Sequence, residues 1–140
     1  MSQTPGTKIS DSSGLRVLII EDSEDILFVM RIELEWLGLV LETATNGTTG
    51  LELAKQLRPD VIISDIHMPG LDGLEFISRV RQIPELQAVP AIALTGLSQE
   101  RDIKEALSRG FTALATKPVD PAELFALIQK LTSKRKGTPA

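Results

Sequence analysis

The chain has 140 residues, 42% hydrophobic and 24% charged, with a formal net charge of −4 and no cysteine. That is enough for one domain that buries roughly two thirds of its unfolded surface. The acidic balance argues against a general nucleic-acid binder, the lack of cysteine excludes disulfides and thiolate metal sites, and no apolar run approaches the ~18 residues of a membrane span.

The first fourteen residues, MSQTPGTKISDSSG, are polar and lack the apolar core of a signal peptide. They read as a flexible N-terminal segment of a cytoplasmic protein. A first strand follows at Val17-Leu18-Ile19-Ile20. From Ser23, an N-cap, Leu27, Met30, Leu34 and Leu37 recur at spacings of three and four, and Gly38 stops the helix. Trp36, near its end, reads as a packing or interface residue. A second strand runs from Val40 to Ala44, with a helix at about 47–57. The third strand, Val61-Ile62-Ile63, leads into Asp65 and a Pro69-Gly70 turn, and a helix follows at about 73–83. The fourth strand, Ala91 to Leu94, precedes a helix at about 98–109 that ends at Gly110. The fifth strand is Thr112 to Ala115. The last helix opens with Asp120-Pro121-Ala122-Glu123, a cap, a first-turn proline and an acid. Its apolar face is Leu124, Leu127, Ile128 and Leu131. Residues 133–140, with Lys134-Arg135-Lys136, read as a flexible C-terminal tail.

Strands that are apolar throughout are covered on both faces. Five of them alternating with five helices predict an α/β fold, a doubly wound parallel sheet. Such sheets bind ligands at the carboxyl ends of their strands. There the chain places Glu21-Asp22, Asp65, Thr95-Gly96 and Thr116-Lys117-Pro118, while the second strand offers only Thr45 and Asn46 and sits apart. Each pair of carboxylates at ~4 Å costs about 4 kcal/mol at an effective dielectric near 20. Protonation of one acid or a bound divalent cation relieves that repulsion. With oxygen ligands only, the cation is Mg²⁺ or Mn²⁺ rather than zinc. A lysine and a hydroxyl beside it suit phosphoryl oxygens, and an aspartate can itself accept a phosphoryl group.

Glu21-Asp22, Asp65 followed by Met68-Pro69-Gly70-Leu71-Asp72-Gly73, Thr95 and Lys117-Pro118 are separated by intervals of 43 (Asp22 to Asp65), 30 and 22 positions. In that set and order, residues 15–132 resemble the receiver domain of two-component response regulators. The resemblance implies a flavodoxin-like (βα)5 fold with strand order 2-1-3-4-5. It makes Asp65 the phosphoacceptor, Asp22 a direct Mg²⁺ ligand, Glu21 a ligand through water, and the backbone carbonyl of His67 a third protein ligand. Thr95 and Lys117 would hold phosphoryl oxygens, and Pro118 would follow a cis peptide bond that orients the lysine. It further implies a histidine kinase or histidine phosphotransfer protein as donor, a downstream protein target and a phosphorylation-dependent homodimer. Neither nucleic acid nor membrane is an implied partner, and no catalysis beyond its own phosphorylation and dephosphorylation is implied.

The chain departs from the receiver pattern at Leu114, where an aromatic switch residue is usual, and at Gly96, where alanine is common. By the same resemblance, the positions that would flank the hydrolytic water are His67 and Leu97, which predicts a long-lived phosphoaspartate. A phosphatase of the haloacid dehalogenase type also uses a strand-end aspartate, but needs a second aspartate two residues on, where this chain has His67. A receiver-like scaffold without phosphate turnover is opposed by the intact set of acids.

Overall fold

A computed structural model describes residues 14–96 and 100–136. The N-terminal segment before Gly14 and the position of Leu97 lie outside the described residues. The chain alternates β1 (Arg16–Ile20), α1 (Glu24–Trp36), β2 (Val40–Ala44), α2 (Gly47–Leu57), β3 (Val61–Asp65), α3 (Gly73–Val80), β4 (Ala91–Thr95), α4 (Glu100–Arg109), β5 (Ala113–Thr116) and α5 (Pro121–Lys136). The strands form one parallel sheet in the order β2-β1-β3-β4-β5, as expected.

Alternation along the strands divides the core in two, because successive side chains leave opposite faces. Leu18, Ile20 and Ile62 pack with Ala54 of α2, Phe76 and Ile77 of α3 and Ala106 of α4. Val17, Ile19 and Ile63 pack with Leu27, Met30 and Leu34 of α1 and with Leu124 and Ile128 of α5. Helices α1 and α5 therefore cover one face and α2 to α4 the other. Every residue of β3 and β4 is buried, so both strands are rigid carriers for whatever stands at their ends.

Local signals set the element boundaries. Ser23 Oγ accepts the Ile26 N–H at 3.3 Å, and Glu24 and Asp25 occupy the first turn of α1, where the helix dipole favours acids. Gly38 adopts φ 95°, a left-handed conformation open to glycine that ends the helix. Several boundaries differ from expectation, and three have a local cause. α3 stops at Val80 instead of 83, since Pro84 holds Ile83 extended (φ −94°, ψ 116°) and opens a short 3₁₀ turn at Pro84–Leu86. β5 begins one residue late, because the Thr112 side chain is used to accept the Ala91 N–H at 3.0 Å. α5 continues to Lys136, past the boundary at 132, because lysine and arginine are good helix formers even where composition suggests a tail.

Candidate functional site

Register brings the strand ends into one row. Ile20 pairs with Ser64, Asp65 with Leu94, and Thr95 with Thr116. Glu21, Asp65, Thr95 and Lys117 consequently emerge along the same edge of the sheet. Glu21, Asp65 and Thr95 are buried, and Asp22 is exposed. One carboxylate oxygen from each of Glu21, Asp22 and Asp65 lies within 4.8 Å of the other two, a set that could hold a metal ion.

Backbone donors hold the acids in place. The Ser23 N–H donates to Glu21 Oε2 at 3.1 Å, and the His67 N–H donates to Asp65 Oδ1 at 3.3 Å. Ser64 Oγ donates to the Asp65 carbonyl at 2.9 Å. Lys117 Nζ donates to Asp65 Oδ2 at 3.0 Å and lies 3.1 Å from Glu21 Oε1. That second approach is an ion pair without hydrogen-bond geometry, so the buried Oε1 accepts no hydrogen bond. The Lys117–Pro118 peptide bond is cis, and the Lys117 N–H donates to the Thr95 carbonyl at 2.9 Å.

Electrostatics follow from this packing. Burial raises the Glu21 pKa above its ordinary value; the Ser23 N–H lowers it, the Asp65 charge raises it, and Lys117 lowers it again without cancelling the rise. For Lys117, burial lowers the pKa, but the hydrogen bond to Asp65, the close approach to Glu21 and the charges of both acids outweigh it and raise the ammonium above its usual range. One ammonium thus balances two buried acids, with Asp22 beside them at the surface. The excess of negative charge, the open lone pair on Glu21 Oε1 and the all-oxygen donors fit a hard divalent cation.

The structure unites Glu21, Asp22, Asp65 and Lys117 through these contacts and aligns Thr95 by register. The residue that sequence reasoning passed over is Gly73, quoted earlier only as part of a motif. A Cβ there would collide with the Asp65 carbonyl and lie 2.7 Å from Ile66 Cα, and the Gly73 N–H donates to the Ile66 carbonyl at 2.8 Å. The start of α3 is thereby pressed against the backbone that carries Asp65. The signal for it was a glycine immediately after Asp72, whose side chain caps α3 by accepting the Glu75 N–H at 2.9 Å.

A doubly wound sheet with acids, a threonine and a lysine along its carboxyl edge defines a class of α/β proteins that act at that edge. Within that class the chain belongs to the response regulator receiver domain family, which matches residues 17–129. It is 36% identical over 113 residues to the protein PilH of Pseudomonas aeruginosa, covering 81% of this chain and 93% of PilH. It resembles the chemotaxis response regulator CheY4 of Vibrio cholerae with a TM-score of 0.81 and 32% identity, over 85% of this chain and 99% of that one. It also resembles the receiver domain of the P. aeruginosa sensor histidine kinase PA1611, a structure with a magnesium ion in its active-site cleft, with a TM-score of 0.80 and 28% identity over 86% of this chain and 99% of that one. The chain spans about half or less of the length of several other curated relatives it matches. Receiver domains are phosphorylation-activated signalling modules of two-component systems, served by histidine kinases or phosphotransfer proteins. Among the described residues no helix is long and apolar enough to cross a membrane.

Proposed function

We propose that Asp65 is the phosphoacceptor of this receiver and that the chain catalyses its own phosphorylation. The observation that carries this reading is the position of Asp65: a buried carboxylate at a rigid strand end, with one oxygen on Lys117 Nζ at 3.0 Å and the other on a backbone N–H. A carboxylate held in this way attacks without having to be ordered first. An Asp65 oxygen attacks the phosphorus of a donor phosphohistidine. The P–N bond breaks, and its electron pair returns to the donor imidazole. Lys117 neutralises one phosphoryl oxygen, and the Thr95 hydroxyl donates to another.

Glu21, Asp22, Asp65 and the His67 carbonyl would hold Mg²⁺, for which Mn²⁺ may be substituted experimentally. When bound, the ion supplies positive charge to the acids and to the incoming phosphoryl oxygens. Residues 15–132, with α5 running on to Lys136, act as the switching unit of a cytoplasmic protein. The donor is a histidine kinase or a histidine phosphotransfer protein, and the output is contact with a protein target or a phosphorylation-dependent homodimer. At the usual aromatic switch position Leu114 is half-buried and packs against the α2–α4 side of the core, so the switch works mainly through Thr95.

Acetyl phosphate and Mg²⁺ provide the test, read by intact mass. The parent chain should gain one phosphoryl group, EDTA should prevent the gain, and Asp65→Asn should gain none. Labelling of Asp65→Asn, or undiminished labelling in EDTA, would refute the assignment.

A further inference from the structure

The loop from Ile66 to Asp72, between β3 and α3, carries His67 and is closed at its neck. The Gly73 N–H donates to the Ile66 carbonyl at 2.8 Å, and the Ile66 N–H donates to the Leu94 carbonyl at 3.2 Å. Beyond the neck, no backbone hydrogen bond among the described residues ties 68–71 to another element. Packing holds this stretch instead. The Met68 side chain is buried in the core under α2 to α4, and Leu71 packs against the same cluster. Leu71 also meets the start of α2. A Cβ on Gly47 would lie 2.5 Å from the Leu71 carbonyl oxygen, 3.1 Å from its Cβ and 3.2 Å from its Cδ2. Gly47 is the first residue of α2 and lies outside the left-handed region. Its backbone therefore does not call for glycine, and alanine would suit the helix better. The close approach of the loop is what calls for it.

We infer that Gly47 is a positioning residue for the cation site, setting through Leu71 where the His67 carbonyl stands. The inference rests on the reading of that carbonyl as a cation ligand. Helix α2 is poorly placed to yield to an added side chain: Gly50, one turn on, seats it on Ile20, and Ala54 is buried in the core. The far end of the loop is fixed as well, by Asp72 capping α3 and by Gly73 against the backbone of Asp65 and Ile66. A Cβ at position 47 consequently displaces Leu71 by about 1 Å to restore van der Waals contact. Pro69 has a fixed φ and passes the shift on. Met68 is a long, unbranched side chain that adapts to its backbone. A carbonyl moved on that scale matters more to Mg²⁺ than to Ca²⁺. The smaller ion demands near-ideal octahedral geometry at about 2.0–2.1 Å, whereas Ca²⁺ takes flexible shells at about 2.3–2.6 Å.

Electron paramagnetic resonance of free Mn²⁺, with Mg²⁺ and Ca²⁺ as competitors, tests this on the full, unphosphorylated chain. Gly47→Ala should weaken Mg²⁺ about tenfold, the low end of what a lost supporting contact costs a metal site. Its affinity for Ca²⁺ should fall less than about threefold, because Ca²⁺ tolerates irregular shells. Leu71→Ala, which removes the side chain seated on α2, should shift the Mg²⁺ to Ca²⁺ preference in the same direction, and serves if Gly47→Ala does not fold. Ile128→Val, a core truncation on the opposite face of the sheet, should lower stability and leave both affinities unchanged. Unchanged Mg²⁺ affinity in both loop variants would mean that Gly70, at φ 76°, absorbs the shift, and would overturn the inference. Equal losses for the two ions, or a matching loss in Ile128→Val, would overturn it too. A parent chain that binds neither Mn²⁺ nor Mg²⁺ would instead refute the cation reading itself, and the inference with it.

Discussion

The carboxyl edge of the sheet and the outer side of α1 break the inside–outside rule in opposite directions. At the edge Glu21, Asp65 and Thr95 are buried where apolar side chains would be cheapest. On α1, Phe28 and Trp36 face solvent where charged side chains would be. The buried acids destabilise the isolated, unliganded chain and would be relieved by a cation and a phosphoryl group, whereas the apolar stripe on α1 is wet in the folded and unfolded chain alike and only forgoes stabilisation. The two differ in kind. An unbalanced buried charge is a strong, short-range penalty, while exposed apolar area forgoes only about 25 cal/mol per Å² by staying wet. Substitutions at the edge should therefore move stability and function together, whereas those on α1 should leave stability nearly unchanged.

Lys117→Ala should have the largest effect, because it strips the one cation that, among the described residues, contacts the two buried acids. A loss of about 2–3 kcal/mol is expected in urea denaturation without metal, below the full cost of a broken buried pair because Lys117 is partly exposed. Magnesium should restore part of that loss by mass action. If the variant is as stable as the parent in EDTA, the edge is not electrostatically strained.

Gly73→Ala comes next, with an expected cost of about 1–3 kcal/mol from overpacking. The added Cβ strikes the Asp65 carbonyl, so labelling by acetyl phosphate should slow in the fraction that remains folded. Normal stability combined with normal labelling would show that α3 does not hold Asp65.

Glu21→Gln sharpens the contrast, because it should stabilise the metal-free protein by about 0.5–2 kcal/mol while weakening Mg²⁺ binding. The sign follows from the raised Glu21 pKa. Above 4.5 and up to its folded value, the folded state holds the Glu21 proton more tightly than the unfolded state does. This residue's contribution to stability is therefore recovered as pH falls through that window and lost as pH rises. The advantage of Glu21→Gln over the parent should accordingly shrink between neutral pH and pH 4.5. An advantage constant with pH would remove the charge of Glu21 as its cause.

The smallest effect belongs to the helix. Ile32→Glu should change the unfolding free energy of the monomer by less than about 0.5 kcal/mol, since the residue is half exposed and outside both core clusters. A loss of several kcal/mol would mean that the stripe is part of the core after all.

Much of the site was legible because apolar runs mark strands, and a strand's last residue marks the edge where ligands bind. Asp65 after Val61-Ile62-Ile63 and Thr95 after Ala91 to Leu94 follow directly from that reasoning. Gly73 was not legible, since its importance is a packing distance to Asp65 and no composition or period encodes a distance. Nor was the contact of Lys117 with Glu21 as well as Asp65. It depends on register across four strands, β1, β3, β4 and β5, and short apolar strands do not announce their neighbours.

Helix α1 shows the limit most clearly. Leu27, Met30 and Leu34 recur at helical spacing, and so do Val29, Ile32 and Trp36. From the sequence alone either set qualifies as the buried face, and Trp36 could be read as packing or as interface. By itself the sequence determined that a helix forms there, that it starts at Ser23 and that it stops at Gly38, because caps and turn residues act over a few positions. Only the tertiary structure decided that the first set lies against the sheet with α5 while Trp36 stands in solvent, because the choice between two apolar stripes is made by the surface each one meets.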